Sequence, residues 1–367
     1  MLWSIDHGLR HRAIIAACTT ALLVAAPLLP TAAHADNPWK VHEKLLGKPK
    51  DDGQDSKKSH DVSGVACATT SGFPRTCLLV DDETQGAQIV ILKDGSLVAG
   101  DFIRLIPDAF DGELLELDGE GVAFADGAFY VVGSHGRPRH EAEALKQAAN
   151  KEKTKAQADA RTTATSKVFR IRFDPASVND KGKLAATPKI DASTELPRFI
   201  KGEATLSPFF NHALDDNGLN IEGIAVRGDR IYFGMRGPVI ENRDAAVLSV
   251  PLAALFDGAT GSGKLDRMEL GKRRGIRDLS AFDGGFLLIA GPVNDPENGA
   301  VKTGDYSVFW WDGAKESKLL GDIEGFGDRI KPEGIVPIER KAGKLSVLVF
   351  FDGPEEGEPR LIEVKAP

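Results

Sequence analysis

One unit recurs along the chain and constrains what it can fold into. Leu219 to Val239, LNIEGIAVRGDRIYFGMRGPV, is echoed by VSGVACATTSGFPRTCLLVDDE at 62–83, GEGVAFADGAFYVVGSHGR at 119–137, IRDLSAFDGGFLLIAGPVND at 276–295 and PEGIVPIERKAGKLSVLVFFDGP at 332–354. Within it Ile224, Val226, Ile231 and Phe233 have the spacing of two short strands joined by the turn cluster Arg227, Gly228 and Asp229, so the unit reads as a β-hairpin. Five copies of one hairpin describe a repeat architecture, not a catalytic motif.

Further strand-like runs follow each hairpin: AQIVILKD and SLVAGDFIRLI in the first repeat, SKVFRIRFD in the second, AAVLSVPL and LDRMEL in the third, YSVFWWDG and SKLLGDI in the fourth. Short strands with turn signals, in repeats of about 50 residues, predict an all-β fold, a β-propeller. Five blades is the simplest count, and six if Lys189 to Asn220 contains a degenerate one. The fifth repeat keeps only PRLIEVKAP after its hairpin, one strand short. The segment around Lys40 to Leu46 is expected to supply that strand, closing the ring and removing an exposed edge. Lys44-Leu45-Leu46-Gly47 echoes Lys318-Leu319-Leu320-Gly321, and both read as outer strands of blades. An insertion in the second repeat, Pro138 to Thr165, is rich in Ala, Lys, Glu and Gln and predicts a charged surface helix, frayed at its end.

Residues 1–35 read as a secretory signal, with Arg10, His11 and Arg12 before the apolar run Ala13 to Leu29. The small-residue sequence Ala33-His34-Ala35 then predicts cleavage before Asp36. No other segment is long and apolar enough to span a bilayer, so a periplasmic or secreted protein with no membrane span is expected. The signal carries Arg10 and Arg12 against Asp6, and its removal takes the formal charge from -8 to -9. Residues 36–60 are expected to hold the closing strand and a polar connector, and 61–367 the propeller. Cys18 leaves with the signal, and Cys67 and Cys77 flank the turn of the first hairpin, where a disulfide would staple opposed strand positions. A metal site is the alternative there, with His60 as the only nearby further ligand. The acidic balance, with no basic stripe interleaved with aromatics, excludes nucleic acid.

In a hairpin the start of the first strand lies beside the end of the second, so the residues that open and close each repeat gather at one mouth of the central channel. The opening positions are Ser63, Glu120, Glu222, Asp278 and Glu333, four of the five acidic. Carboxylates crowded around a narrow axis need a proton, a cationic partner or a metal ion. Arg236, Arg277 and Lys331 can neutralise them internally, or Glu120, Glu222, Asp278 and Glu333 can hold a divalent cation such as calcium. They can also serve as struts that accept N–H bonds from the next blade, with Gly223 and its equivalents allowing close approach.

The unrepeated residues at the mouth are the better catalytic candidates. His135, in Gly133-Ser134-His135-Gly136-Arg137, reads as an accessible imidazole suited to proton transfer. Ser134 is not its nucleophile partner merely by adjacency, because strand neighbours point to opposite sides. Arg236 is expected to hold an anionic substrate group or to pair with Glu222. The insertion leaves from the same mouth and can act as a lid. No nucleophile elbow, phosphate loop, dinucleotide fingerprint or His-Glu-x-x-His is present.

As a set, VSGVAC with CLLVDDE, EGVAF with VVGSHGR, LNIEGIAV with IYFGMRGPV, IRDLSAFDGGFLLIAGP, and PEGIV with LVFFDG resemble the bacterial family called domain of unknown function 3616, from about Asp61 to the end. That family is similar to phytase-like and esterase-like propellers, and more distantly to propeller lactonases with a calcium ion in the channel. The resemblance implies a propeller with metal-dependent esterase or phosphoesterase activity, and it supplies no catalytic residues. The lactonases combine a Glu with Asn and Asp ligands, whereas the opening positions here are mostly Glu. The expectation is therefore a monomeric hydrolase of a small ester or phosphate compound. The competing expectation is a non-enzymatic ligand-binding or scaffold protein of the cell envelope.

Overall fold

The computed structural model describes residues 37–49, 56–296, 299–324 and 327–367. The expected signal at 1–35, with Cys18, and residues 50–55 of the expected connector lie outside them. The alternating runs form five blades, each an antiparallel meander. The first blade is Val62–Cys67, Arg75–Asp81, Gly86–Lys93 and Ser96–Arg104. The second is Gly119–Ala125, Ala128–Gly133, Val168–Arg172 and Lys189–Ser193. Asn220–Arg227, Arg230–Gly237, Asp244–Pro251 and Lys264–Glu269 make the third. Arg274–Phe282, Gly285–Pro292, Ser307–Trp311 and Ser317–Asp322 make the fourth. The fifth has three strands, Lys331–Lys341, Lys344–Asp352 and Arg360–Lys365.

The first-listed strand of each blade is innermost, and these strands touch in ring order, the fifth returning to the first. Lys189–Ser193 is the outer strand of the second blade, and a helix at Leu196–Gly202 follows it, so that stretch is not a sixth blade. Several hairpins turn on Asp-Gly or Ala-Gly pairs. Asp126-Gly127, Asp283-Gly284 and Ala342-Gly343 all have positive φ at both residues, as a type I′ turn requires.

Each seam between blades has its own apolar filling. Ile89 and Phe129 belong to the cluster that spans the first and second blades, and Tyr130 and Ile224 to the one that spans the second and third. Val247 and Phe286, Leu287 and Phe351, and Leu79 and Phe350 share the clusters at the remaining three seams. Burial of one such side chain stabilises by about 1.5–3 kcal/mol, so the ring is held by its seams.

One irregularity is repeated at the start of every inner strand and shapes the site. A single residue drops out of the pairing register: Ser63 between Val62 and Gly64, Glu120 between Gly119 and Gly121, Glu222 between Ile221 and Gly223, Arg277 between Ile276 and Asp278, and Glu333 between Pro332 and Gly334. Such a bulge bends its strand and re-aims the extra side chain. Four blades place glycine immediately after the bulge because the next blade is too close for a side chain. A Cβ on Gly64 would lie 2.7 Å from Gly121 Cα, and one on Gly223 2.7 Å from Leu279 Cβ. The fourth blade has Asp278 in the glycine place. The expected alignment is thus off by one residue there: the equivalent of the repeated glutamates is Arg277, not Asp278.

The N-terminal segment also departs from expectation. Lys40–His42 pairs parallel with Ser96–Arg104 at the outer edge of the first blade and leaves the fifth blade three-stranded. It still ties the two blades that meet at the ring's ends. Trp39 N–H donates to the Pro359 carbonyl at 2.7 Å, Leu45 N–H donates to Glu356 at 3.2 Å, and Leu45 is buried in the seam between those blades. Leu46–Pro49 pairs with Ser56–Lys58 in a separate small hairpin, so the echo of Lys44–Gly47 with Lys318–Gly321 does not extend to both being blade strands. Lys318–Gly321 does lie in an outer strand.

The insertion folds as two helices, α1 (Glu141–Gln147) and α2 (Lys151–Thr165). Asn150 caps α2 by accepting from Lys153 N–H. The end of α2 is docked: Ala164 and Thr165 are buried, and the Thr165 carbonyl accepts from His135 N–H. Cys67 and Cys77 pair across the first hairpin and form the disulfide. Among the described residues, no helix is long and apolar enough to cross a membrane.

Candidate functional site

The bulges and the closing ends of the hairpins meet, as the hairpin geometry predicts, around one cavity of about 430 Å³. Its walls include Glu120, Glu222 and Glu333 from the bulges and Asp82, Arg236 and Asp352 from the closing ends. Arg137, just before the insertion, and Arg139 and Arg161 within it form part of the rim. Arg139 reaches Asp295 of the fourth blade at 3.0 Å, and Arg137 is held by Glu141 and Asp159.

A charged network occupies one side. Arg236 Nη1 donates to Glu222 Oε1 at 2.8 Å, its Nη2 to Asp295 Oδ1 at 2.8 Å, and its Nε to the Val293 carbonyl at 2.7 Å. Arg277 Nε lies 2.9 Å from Glu222 Oε2, and Arg277 Nη2 closes on Glu333. These Arg277 contacts are ion pairs without hydrogen-bond alignment, and Nη1 has no partner among the described residues. Lys331 pairs with Asp352. Burial disfavours the charge on Arg236, but Glu222 and then Asp295 outweigh it and hold the guanidinium protonated. Asp295 is likewise kept well below the usual carboxylate range by Arg236, Lys331 and Arg277 against its own burial.

Asp278 stands apart from this network. Its carboxylate accepts from Leu279 N–H and, across the seam, from Ile335 N–H of the fifth blade, both at 2.7 Å. Burial raises its pKa, and the two backbone bonds oppose the rise. It is a strut between blades.

The other side of the cavity is acidic and unneutralised. Glu120 is 7% exposed, and among the described residues it has no hydrogen bond or ion pair, though it faces the cavity. Its pKa is pushed up by burial and by Glu222 and Asp118, and that of Asp82 by burial and by Asp118 and Glu120. Burial raises Asp118 as well, opposed by the Ser134 hydroxyl. Burial, reinforced by Asp352, moves Asp61 to about 6. Asn220 adds an amide that is 8% exposed and whose Oδ1 has no donor among the described residues.

The sequence-predicted residues therefore divide. Glu120, Glu222, Glu333 and Arg236 share the cavity; Asp278 does not line it. His135 is corrected: it is 4% exposed and absent from the cavity wall, its Nδ1–H donates to the Gly133 carbonyl at 2.8 Å, and burial lowers its pKa to about 4. The flanking glycines do not open the turn, because the end of α2 covers it, while neighbouring Ser134 points the other way and lines the cavity. For Arg236 the structure shows the second of the two expected roles: it pairs with Glu222, and with Asp295 on its other nitrogen its guanidinium has no fork left for a substrate anion.

The predicted cation set does not fit a cation. Glu222 and Glu333 are engaged by guanidinium groups and Asp278 by backbone N–H groups. Among the described residues, no three or more His, Cys, Asp and Glu side chains converge tightly enough to grip a metal ion. Asp61, Asp118 and Asn220 were missed by sequence reasoning, and a signal for them existed. They stand two residues before the bulge, as Lys331 does in the fifth blade, and alternate residues of a strand share a face.

Residues 77–363 match the profile of the family described as Protein of unknown function (DUF3616). The chain belongs to that family. No curated protein matches it. Among solved structures, glutaminyl cyclase from Myxococcus xanthus aligns with this DUF3616 chain at a TM-score of 0.40 and 9% identity, over 92% of this chain and 98% of that one. The GH43 endo-arabinanase from Bacillus licheniformis aligns at 0.37 and 9% identity, over 89% and 96%. No residue role is carried over from either to the DUF3616 chain.

Proposed function

We propose that the protein is an exported hydrolase that binds a small polar ester in the central cavity and cleaves it by acid–base catalysis, with Glu120 as proton donor. One observation carries this reading. Of the three bulge glutamates, Glu222 and Glu333 are paired with guanidinium groups, while Glu120 faces the cavity with no ion pair among the described residues. A buried carboxyl beside other carboxyls keeps its proton near neutrality while a neighbour ionises, which gives a donor and an acceptor in one site. Asp82 and Asp118, on the same wall, are the acceptor candidates. The reading favours an ester over a phosphate compound. Arg236, the expected phosphate holder, is engaged by Glu222, Asp295 and Val293, and the acidic wall repels anions. Export is supported by the composition of residues 1–35 and by the Cys67–Cys77 disulfide. It is checked by finding mature protein beginning at Asp36 in the periplasm or medium.

A scaffold reading is favoured for particular residues, not for the cavity. Glu222, Arg277, Glu333 and Asp278 join successive blades, which accounts for them without a reaction. The deciding measurement is hydrolysis of a panel of small esters by the intact protein and by Glu120→Gln. A lost general acid lowers the rate by about 10²–10⁴. No activity on the panel, or equal activity in a folded E120Q variant, would sink the hydrolase reading.

A further inference from the structure

The charge on the cavity wall is lopsided in a way that describes its ligand. Eight acidic and five basic side chains line it. Four of the basic ones are already paired: Arg236 with Glu222 and Asp295, Arg139 with Asp295, Arg137 with Glu141 and Asp159, and Lys331 with Asp352. Arg161 is exposed on the rim and pairs with none of the wall carboxylates among the described residues. Glu120, Asp82 and Asp118 therefore have no ion pair among the described residues.

A second observation points the same way and does not depend on the acids. Asn220 is more than nine-tenths buried on the cavity wall, and its Oδ1 is an acceptor with no donor among the described residues. An unmet buried acceptor costs about 1–3 kcal/mol, so a ligand donor supplied there would be favourable. Glu120, Asp82, Asp118 and Asn220 thus give the cavity a wall rich in hydrogen-bond acceptors. They do not converge tightly enough for a bare metal ion. A cavity of about 430 Å³ instead suits an organic molecule that spreads N–H donors across that wall.

We propose that the ligand of this cavity is a small organic cation, an amine whose ammonium group sits against Asp82, Asp118 and Asn220, beside the proton donor Glu120. This rests on the cavity being the reaction site and specifies its substrate: the ester carries a protonated amine, which supplies the missing positive charge and donates three hydrogen bonds. Charge-assisted bonds of this kind are roughly twice as strong as neutral ones. The uncharged analogue of the same ligand should therefore bind far more weakly.

The test is isothermal titration of the intact protein at pH 7.5 with 1,4-diaminobutane, 1,4-butanediol and calcium chloride in separate runs. The diamine is expected to bind, the diol at least about tenfold more weakly, a difference of about 1.4 kcal/mol. Asp82→Asn and, independently, Asp118→Asn should each weaken the diamine at least tenfold while keeping the wild-type melting temperature within a few degrees. Should D118N fail to fold, D82N carries the test. No diamine binding at millimolar concentration, binding of calcium with the diamine silent, equal binding of diamine and diol, or unchanged affinity in both folded variants would overturn the proposal. Hydrolysis of neutral esters that depends on Glu120, with no amine binding, would overturn this inference and leave the hydrolase reading standing.

Discussion

Arg277 Nε stands 2.9 Å from Glu222 Oε2, joining the fourth blade to the third with both side chains shut away from solvent. The same guanidinium closes on Glu333 of the fifth blade, so one arginine at the bulge position pairs with two of the three bulge glutamates. The ring needs a cation at one of its five bulges, and the fourth blade supplies it. That blade is also the one where Asp278 replaces glycine and binds the neighbouring backbone directly.

Replacing Arg277 by Met strands the buried Glu333 carboxylate and leaves Glu222 with Arg236 alone. Breaking a buried pair from one side costs about 3–5 kcal/mol, and urea denaturation should show a loss of that order. Adding Glu333→Gln to Arg277→Met should recover part of it by removing one stranded charge. No recovery in the double variant would mean that the loss comes from packing, not charge.

Calcium gives a second separation. With Glu222 and Glu333 engaged by guanidinium and Asp278 by N–H groups, millimolar calcium is expected to leave the melting temperature unchanged, and a chelator to do the same. Specific binding would raise stability by RT ln(1 + [L]/Kd), about 2.7 kcal/mol at a hundredfold excess over Kd. A shift of that size, lost in Asp278→Asn or Glu222→Gln, would restore the four-carboxylate site.

How far the sequence could be read follows from what repeats in it. Apolar alternation and turn pairs such as Asp126-Gly127 recur in each blade, because every seam and hairpin has the same requirement, so blades and strand order were legible. The convergence of Glu120, Glu222 and Glu333 was legible for the same reason. The one-residue error at Asp278 arose where the fourth blade breaks the Glu-Gly pattern with Arg277-Asp278, and only the bulge register shows which residue is equivalent. His135 misled because accessibility depends on what covers a turn. Here the cover is Thr165, thirty residues on at the end of an insertion that looks like a solvated excursion. The edge chosen by Lys40–His42 was equally hidden, since an edge strand of three residues carries no pattern that names its partner.

His135 itself yields a prediction opposed to its expected role. An essential general base would lose about 10²–10⁴ in rate on replacement. Off the cavity wall, His135→Asn should keep the wild-type rate on any substrate that depends on Glu120. Asn is the fitting substitute because it tolerates the left-handed backbone at φ 55°. A rate loss as large as that of Glu120→Gln would return His135 to the site.

The buried carboxyls also set a pH dependence whose sign can be worked out. Burial raises Asp81 to about 8, with the Ser59 hydroxyl opposing, and Asp61 rises to about 6, while Asp82 and Glu120 move the same way. The folded protein therefore binds more protons than the unfolded chain between the ordinary carboxyl range near 4 and those raised values. The stabilising contribution is fully present below that ordinary range and is lost as pH rises through the folded values, at about 1.4 kcal/mol per pH unit for each group while it lies between its two pKa values. His135, lowered to about 4, acts oppositely: its contribution is present above about 6.5 and lost as pH falls toward 4. Stability measured by denaturant unfolding should accordingly peak in mildly acidic buffer and fall from pH 6 to pH 8. In Asp81→Asn that fall should be shallower by up to one group's slope, because the amide keeps an acceptor for Ser59 and has no proton to lose. A stability that rises from pH 6 to pH 8, or a slope untouched by Asp81→Asn, would show that these carboxyls are already ionised in the folded protein.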